Sequence, residues 1–161
     1  MALVVNVHGA ALVRVGTGAA NALEDLGYSV NGVDIEETVL TADVPGDQNG
    51  GDEGPPIDIQ YFGQIDIVRM ELSRYDAAVL AKIDCRLLGG TTGSTSAPGT
   101  LIFGASRHYR LLVHPTTGPR NYLGAVPRQA ILHNRGTKFS RLRLEFECHA
   151  VSGVLWNTAT T

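Results

Sequence analysis

The chain has 161 residues, 43% apolar and 18% charged, with a formal net charge of −3. That is ordinary for one globular domain spanning 1–161, long enough to bury a core. No apolar run approaches the roughly 20 residues of a membrane span, and no basic stretch precedes the apolar N-terminus as a secretory signal requires. Cys85 and Cys148 are far apart and outside any C-x-x-C pattern, so reduced, buried thiols are expected.

Charge is more informative by position than by sum. Residues 1–80 hold thirteen acids and three bases; residues 81–161 hold ten bases and three acids. Two arrangements accommodate this split. The strands of the two halves can interleave and mix the surface, or an acidic face can meet the basic face of an identical neighbour. The second is a heterologous contact, which generates rings or filaments. Its candidate intersubunit residues are Asp47, Asp52 and Glu53 on the acidic side and Arg107, Arg120 and Arg128 on the basic side.

In chain order, residues 2–15 are apolar with polar breaks and predict one or two N-terminal strands. Gly16 and Gly18 then form G-x-G ahead of ANALEDLG, with Asp34 and Glu36 further on, which imitates a dinucleotide-binding turn. Asn21 occupies the third glycine position, a Gly/Pro/Asp loop replaces the crossover, and no second βαβ unit follows. The preferred reading is a Gly-rich turn, with residues 28–35 as a strand broken by an Asn31-Gly32 hairpin-type turn.

Residues 44–56, VPGDQNGGDEGPP, form a long acidic loop. Asp47, Asn49 and Asp52 could supply oxygens to calcium, but the spacing lacks the twelfth-position acid of an EF-hand loop. Residues 57–72, IDIQYFGQIDIVRMEL, alternate with period two. Ile57, Ile59, Tyr61, Ile65 and Ile67 take one parity, and Asp58, Gln60, Gln64 and Asp66 the other. A long strand with one buried and one wet face follows. Near Arg69 the apolar parity switches to Val68, Met70 and Leu72, which predicts a bulge or sheet-switching bend there.

A helix is expected over about 76–88, with Asp76 as N-cap, Gly89-Gly90 as stop and Ala77, Leu80, Ala81, Asp84 and Leu88 on one side. A second long loop of small residues follows at 89–100. Strands return over 109–114, over 122–132 with Pro127 at a bend or edge, and over 139–148. In the last, Leu142, Leu144, Phe146 and Cys148 alternate with Arg141, Arg143, Glu145 and Glu147, a buried face against a charged one. Trp156 is placed to anchor the end of the chain. The fold class is mainly β: two packed antiparallel sheets, as a β-sandwich or barrel, with one flanking helix.

Catalytic signatures are lacking. His8, His108, His114, His133 and His149 are scattered, with no H-x-x-x-H pair and no G-x-S-x-G elbow. The basic half has no interleaved aromatics to suit nucleic acid. No catalytic, cofactor-binding or metal-binding residues are assigned, and the chain is read as a non-enzyme.

The run LVRVGTGAANALEDLGYSVNGVDIEE, the DVPGD…GGDEGPP loop, DIQYFGQIDIVRMEL, the Asp-led DAAVLAKI and the ending FSRLRLEFECHA…GVLWN together resemble tail-tube and neck (head–tail connection) virion proteins of tailed bacteriophages. The resemblance implies a tail-tube-like fold and six copies closing into a ring around a DNA channel. It also implies a virion location, in tail or neck, after synthesis in the host cytoplasm. Its implied partners are further copies of the chain, neighbouring tail or neck proteins and DNA that passes without specific binding; no membrane and no cofactor are implied. The loops at 44–56 and 89–100 would reach over adjacent subunits. An acidic lumen lets DNA slide, and Asp58, Gln60 and Asp66 are the candidate channel-facing residues, since like charge prevents retention of the phosphate backbone. Tail tube, neck ring and terminator remain open roles, and a capsid decoration or cement protein is the alternative.

Overall fold

The computed structural model describes residues 11–16, 22–45, 56, 58–83, 97–99, 101, 103, 108–114, 118–128, 132–135 and 140–160. Eight strands and one helix occupy them: β1 Ala11–Gly16, β2 Leu23–Val44, β3 Asp58–Tyr75, α1 Ala77–Ile83, β4 Tyr109–His114, β5 Arg120–Pro127, β6 Leu132–Arg135, β7 Ser140–His149 and β8 Trp156–Asn157. The protein is mainly β and antiparallel throughout, as its alternating segments predict.

The strands form one sheet in the order β6-β7-β3-β2-β1-β4-β5-β8, and β5 also pairs with β7. That extra pairing, Gly124 to Pro127 against His149 to Phe146, closes β7-β3-β2-β1-β4-β5 into a six-stranded barrel. The expected two layers are therefore opposite walls of one closed sheet. Closure satisfies edges that an open sheet of this size leaves unpaired.

Inward residues from every wall build the core: Val13 and Val15 from β1, Leu26 from β2, Val68, Met70 and Leu72 from β3, Leu111 and Val113 from β4, Tyr122 and Ala125 from β5, and Leu142, Leu144 and Phe146 from β7. The alternation read in β7 holds, with Leu142, Leu144, Phe146 and Cys148 all buried. Cys148 is a free, buried thiol; Cys85 lies outside the described residues.

Helix α1 covers the barrel end where β3 finishes. The Asp76 carboxylate accepts from the amides of Ala78 at 2.8 Å and Val79 at 3.2 Å, which satisfies donors that the first turn otherwise leaves orphaned. Leu80 is buried as predicted, but its buried companions are Val79 and Ile83, while Ala77 is exposed and Ala81 half-buried. Residues 84–88 of the expected helix lie outside the described residues.

Two sequence expectations are corrected in β2 and β3. Asn31-Gly32 is no hairpin turn: β2 runs through it for 22 residues. Residues 30–32 stand opposite Glu71 alone, since Ser29 pairs with Leu72 and Val33 with Met70. Gly32, at φ 84°, supplies the conformation this bulge needs, and the Ser29 hydroxyl donates to its carbonyl. The residues after Asn21 that imitate a dinucleotide-binding helix are likewise strand, from Leu23 onward.

The second correction moves the parity break in β3. Register is unbroken through Arg69 against both neighbours, from Gln64 to Met70 on β2 and from Asp66 to Leu72 on β7. The break lies at Phe62, left unpaired between Tyr61–Thr41 and Gly63–Leu40. Gly63 has φ 137°, a backbone state L side chains rarely adopt. Ile59 and Tyr61 therefore share a face with Val68, Met70 and Leu72, while Ile65 and Ile67 turn to the other side. One extra residue reconciles two apolar parities in a single strand.

Candidate functional site

β3 pairs with β7 only over residues 66–72, and β2 pairs with β1 only over residues 23–29. Beyond those limits the two strands have only each other. Residues 38–44 and 58–65 thus leave the barrel as a two-stranded arm, while Val33 and Ile35 still pack against the core, and among the described residues neither outer edge of the arm has a partner. From Asp66 to Asp58 the arm reaches about 25 Å at the usual strand rise.

Cross-strand pairing fixes its faces, because directly opposed residues project to the same side. The side continuing the barrel interior carries Val39, Thr41 and Asp43 from β2 and Ile59 and Tyr61 from β3. The other side carries Thr38, Leu40 and Ala42 with Asp58 and Gln60. Val39, Ile59, Tyr61 and Phe62 are all more than half exposed.

A buried polar cluster holds the arm's root. Asp66 is fully buried, and its carboxylate accepts from the Tyr122 hydroxyl at 3.0 Å and from Gln64 Nε2 at 2.9 Å. Arg120 Nη1 stands 3.8 Å from the same carboxylate and donates to Glu37, the residue paired with Asp66 across the arm, at 2.6 Å. The guanidinium also lies 4.7 Å above the Trp156 ring, a cation–π contact. Burial, opposed by Arg120 and reinforced by the Asp66 charge, raises the Tyr122 phenol above its usual range. The Arg120 guanidinium is held charged, first by its hydrogen bond with Tyr122 and next by Glu37. Four elements are pinned together here: β2, β3, β5 and β8.

Asp66 is consequently corrected. Its parity placed it on a wet face with Asp58 and Gln60, but the bulge at Phe62 turns it inward. Asp58 and Gln60 are exposed on the arm. Of the six candidate intersubunit residues, Asp47, Asp52, Glu53 and Arg107 lie outside the described residues. Arg120 is engaged at the root, and Arg128 approaches Glu147 at 3.2 Å. The charge split is partly met within the chain, through Glu37–Arg120, Arg69–Glu145 at 2.9 Å and Glu71–Arg143 at 3.4 Å. Such exposed pairs contribute little individually, about 0–1 kcal/mol. The interleaved arrangement accounts for these bases, and the acids Asp34 beside the barrel and Asp43 and Asp58 on the arm stay exposed.

The remaining titratable groups do not converge. His149 Nε2 lies 2.9 Å from Glu147 on the outer face of β7, opposite in parity to Cys148. His108 stacks on Phe103, ring centroids 5.2 Å apart. Among the described residues no three of His, Cys, Asp and Glu gather as metal ligands, and no helix is long and apolar enough to cross a membrane. Sequence reasoning missed the arm and the Asp66–Tyr122 bond; the signal for the arm was the alternation of residues 57–72, which runs on beyond the residues 66–72 that pair with β7.

No family model matches the chain, and no curated protein matches it. Among solved structures, a chain from the virion of a native gene transfer agent particle aligns over 90% of this chain and 95% of its own length, with 10% identity and a TM-score of 0.49. At that level the likeness assigns this protein neither a fold family nor a role.

Proposed function

We propose that this chain is a virion structural protein that closes into a ring or tube, six copies around, in the tail or neck of a tailed bacteriophage. The observation carrying this reading is the arm. A lone two-stranded ribbon with exposed apolar side chains is marginal in water, and its unpaired edges are templates for another strand. The two edges differ: one is β2, the other β3. Joining the β2 edge of one copy to the β3 edge of the next is a heterologous contact, which repeats until it closes. The sequence resemblance supplies the phage setting and the copy number.

In such a ring Asp58 and Gln60 share one face of the arm wall and Ile59 and Tyr61 the other. We assign the Asp58–Gln60 face to the channel, where carboxylates repel the DNA backbone and allow passage. Asp66 has no part in this lining.

Negative-stain electron microscopy of the purified chain, with its mass in solution, tests the reading. Rings or tubes with a central hole support it, and tubes favour the tail tube over a neck ring. A monomer or trimer at every concentration overturns it in favour of a capsid decoration protein. Deleting residues 48–53 beyond the arm should leave a folded monomer; assembly at the wild-type concentration would remove that loop from the contact.

A further inference from the structure

We propose that β8 is the back-stop of the arm: Trp156 holds Arg120 in place, and Arg120 fixes the angle at which the arm leaves the barrel. The latch stands on the geometry of the arm's root, and its consequence for assembly rests on the ring reading above.

Along the arm β2 and β3 have only each other among the described residues, so no neighbouring strand sets its direction. Side chains from β5 do. Arg120 and Tyr122 both project to the interior side of β5, since they pair with the core residues Val113 and Leu111 of β4. Each takes hold of a different strand. Tyr122 donates to Asp66 of β3 at 3.0 Å, and Arg120 donates to Glu37 of β2 at 2.6 Å. A ribbon held at one point can tilt about it. Held at one point on each strand, it has a single tilt.

The two anchors are unequal. Tyr122 is fully buried in the core, so packing fixes its hydroxyl. Arg120 is a long side chain, 29% exposed, and its partner Glu37 is 48% exposed. Such a pair holds little by itself, because the entropy of ordering both side chains offsets most of the attraction. Trp156 changes that balance. The guanidinium carbon lies 4.7 Å above the centre of its ring. The ring is carried by a strand that is itself fixed, through the pairs Trp156–Tyr122 and Asn157–Asn121. A planar cation already stacked on an aromatic face loses less freedom when it bonds a carboxylate. Trp156, Arg120 and Glu37 therefore form a stack that joins β8 to β2 where the arm leaves the barrel. The stack also gives a role to two features the core does not require: a two-residue strand, and a tryptophan left 37% exposed.

A ring needs every arm presented at the same angle. An arm free to swing points the right way only part of the time, and its apparent affinity falls by that fraction.

The test measures the arm's angle in the full chain, at a dilution where it is monomeric. Q60C on the arm and G118C just before β5 are both exposed positions, and they carry spin labels on a C85S background. Cys148 is buried and stays unlabelled. Electron paramagnetic resonance then gives the separation of arm and β5. The parent chain should show one narrow distance distribution. W156L and E37A should each broaden it with circular dichroism unchanged, and W156F, which keeps an aromatic face, should restore it. R120K, which keeps the charge but loses the planar fork, should also broaden it. Without the labels, W156L should need about tenfold more protein to assemble than wild type. A narrow distribution in W156L or in E37A overturns the latch and leaves the ring reading in place; should W156L fail to fold, E37A decides alone. A broadened arm that assembles at the wild-type concentration overturns the link between latch and assembly. A wild-type chain that never assembles overturns the ring reading, while the distance distributions still decide the latch.

Discussion

Replacing Tyr122 by Phe removes one oxygen atom from the arm's root and leaves the ring that fills the barrel. The lost bond is 3.0 Å long, made to a carboxylate with no exposure to water. A hydrogen bond to a charged, buried acceptor contributes about 1.5–3 kcal/mol. Gln64 at 2.9 Å still serves Asp66, and Arg120 at 3.8 Å is too long for a good hydrogen bond, so neither replaces the hydroxyl. For a chain of this size the loss corresponds to a fall in Tm of roughly 3–12 °C. Urea titrations followed by circular dichroism should show a lower midpoint at unchanged slope. The reasoning fails if Y122F unfolds within about 0.5 kcal/mol of wild type, or if a cycle with D66N shows purely additive losses. The pH dependence has a determined sign. Tyr122 titrates higher when folded than its ordinary 10.0, so its contribution is complete below that value. It drains away as pH climbs through the folded value. Cys148, raised from its ordinary 9.0 mainly by burial, acts in the same direction. Wild type should therefore lose stability above about pH 9, and Y122F should lose less of it.

Three further outcomes are expected. Gly27→Ala places a Cβ 2.1 Å from the Arg74 carbonyl oxygen, forcing β2 and β3 apart, and should cost at least about 2 kcal/mol in urea unfolding; Gly118→Ala, with open space around it, should cost nothing measurable. Gly63→Ala meets no neighbour but must adopt φ 137°, so a loss of about 1–3 kcal/mol from backbone strain alone is expected. On a Cys85→Ser background, Cys148 should resist alkylation at pH 8 in the folded protein and react on denaturation, since burial keeps it a protonated thiol; mass spectrometry of the native chain showing rapid labelling would contradict its placement.

Local pattern determined much of this protein by itself. Alternation over residues 57–72 and 139–148 specified strands and, for β7, the face that is buried, because side-chain direction in a strand depends only on parity. Asp76 announced the start of α1 because an N-cap acts on amides two and three residues away. Those are short-range physics, legible without a partner. What the sequence could not contain is which strands lie side by side. Closure of β5 on β7, the bulge at Phe62 and the inward turn of Asp66 all depend on pairing between residues far apart in the chain. A one-residue insertion in the register of β3 against β2 reverses every side chain beyond it, and nothing within residues 57–72 says where that insertion falls. The same non-local pairing leaves residues 38–44 and 58–65 with only each other as strand partners among the described residues. The arm, on which the proposed function rests, was therefore decided by where the barrel stops and not by its own sequence.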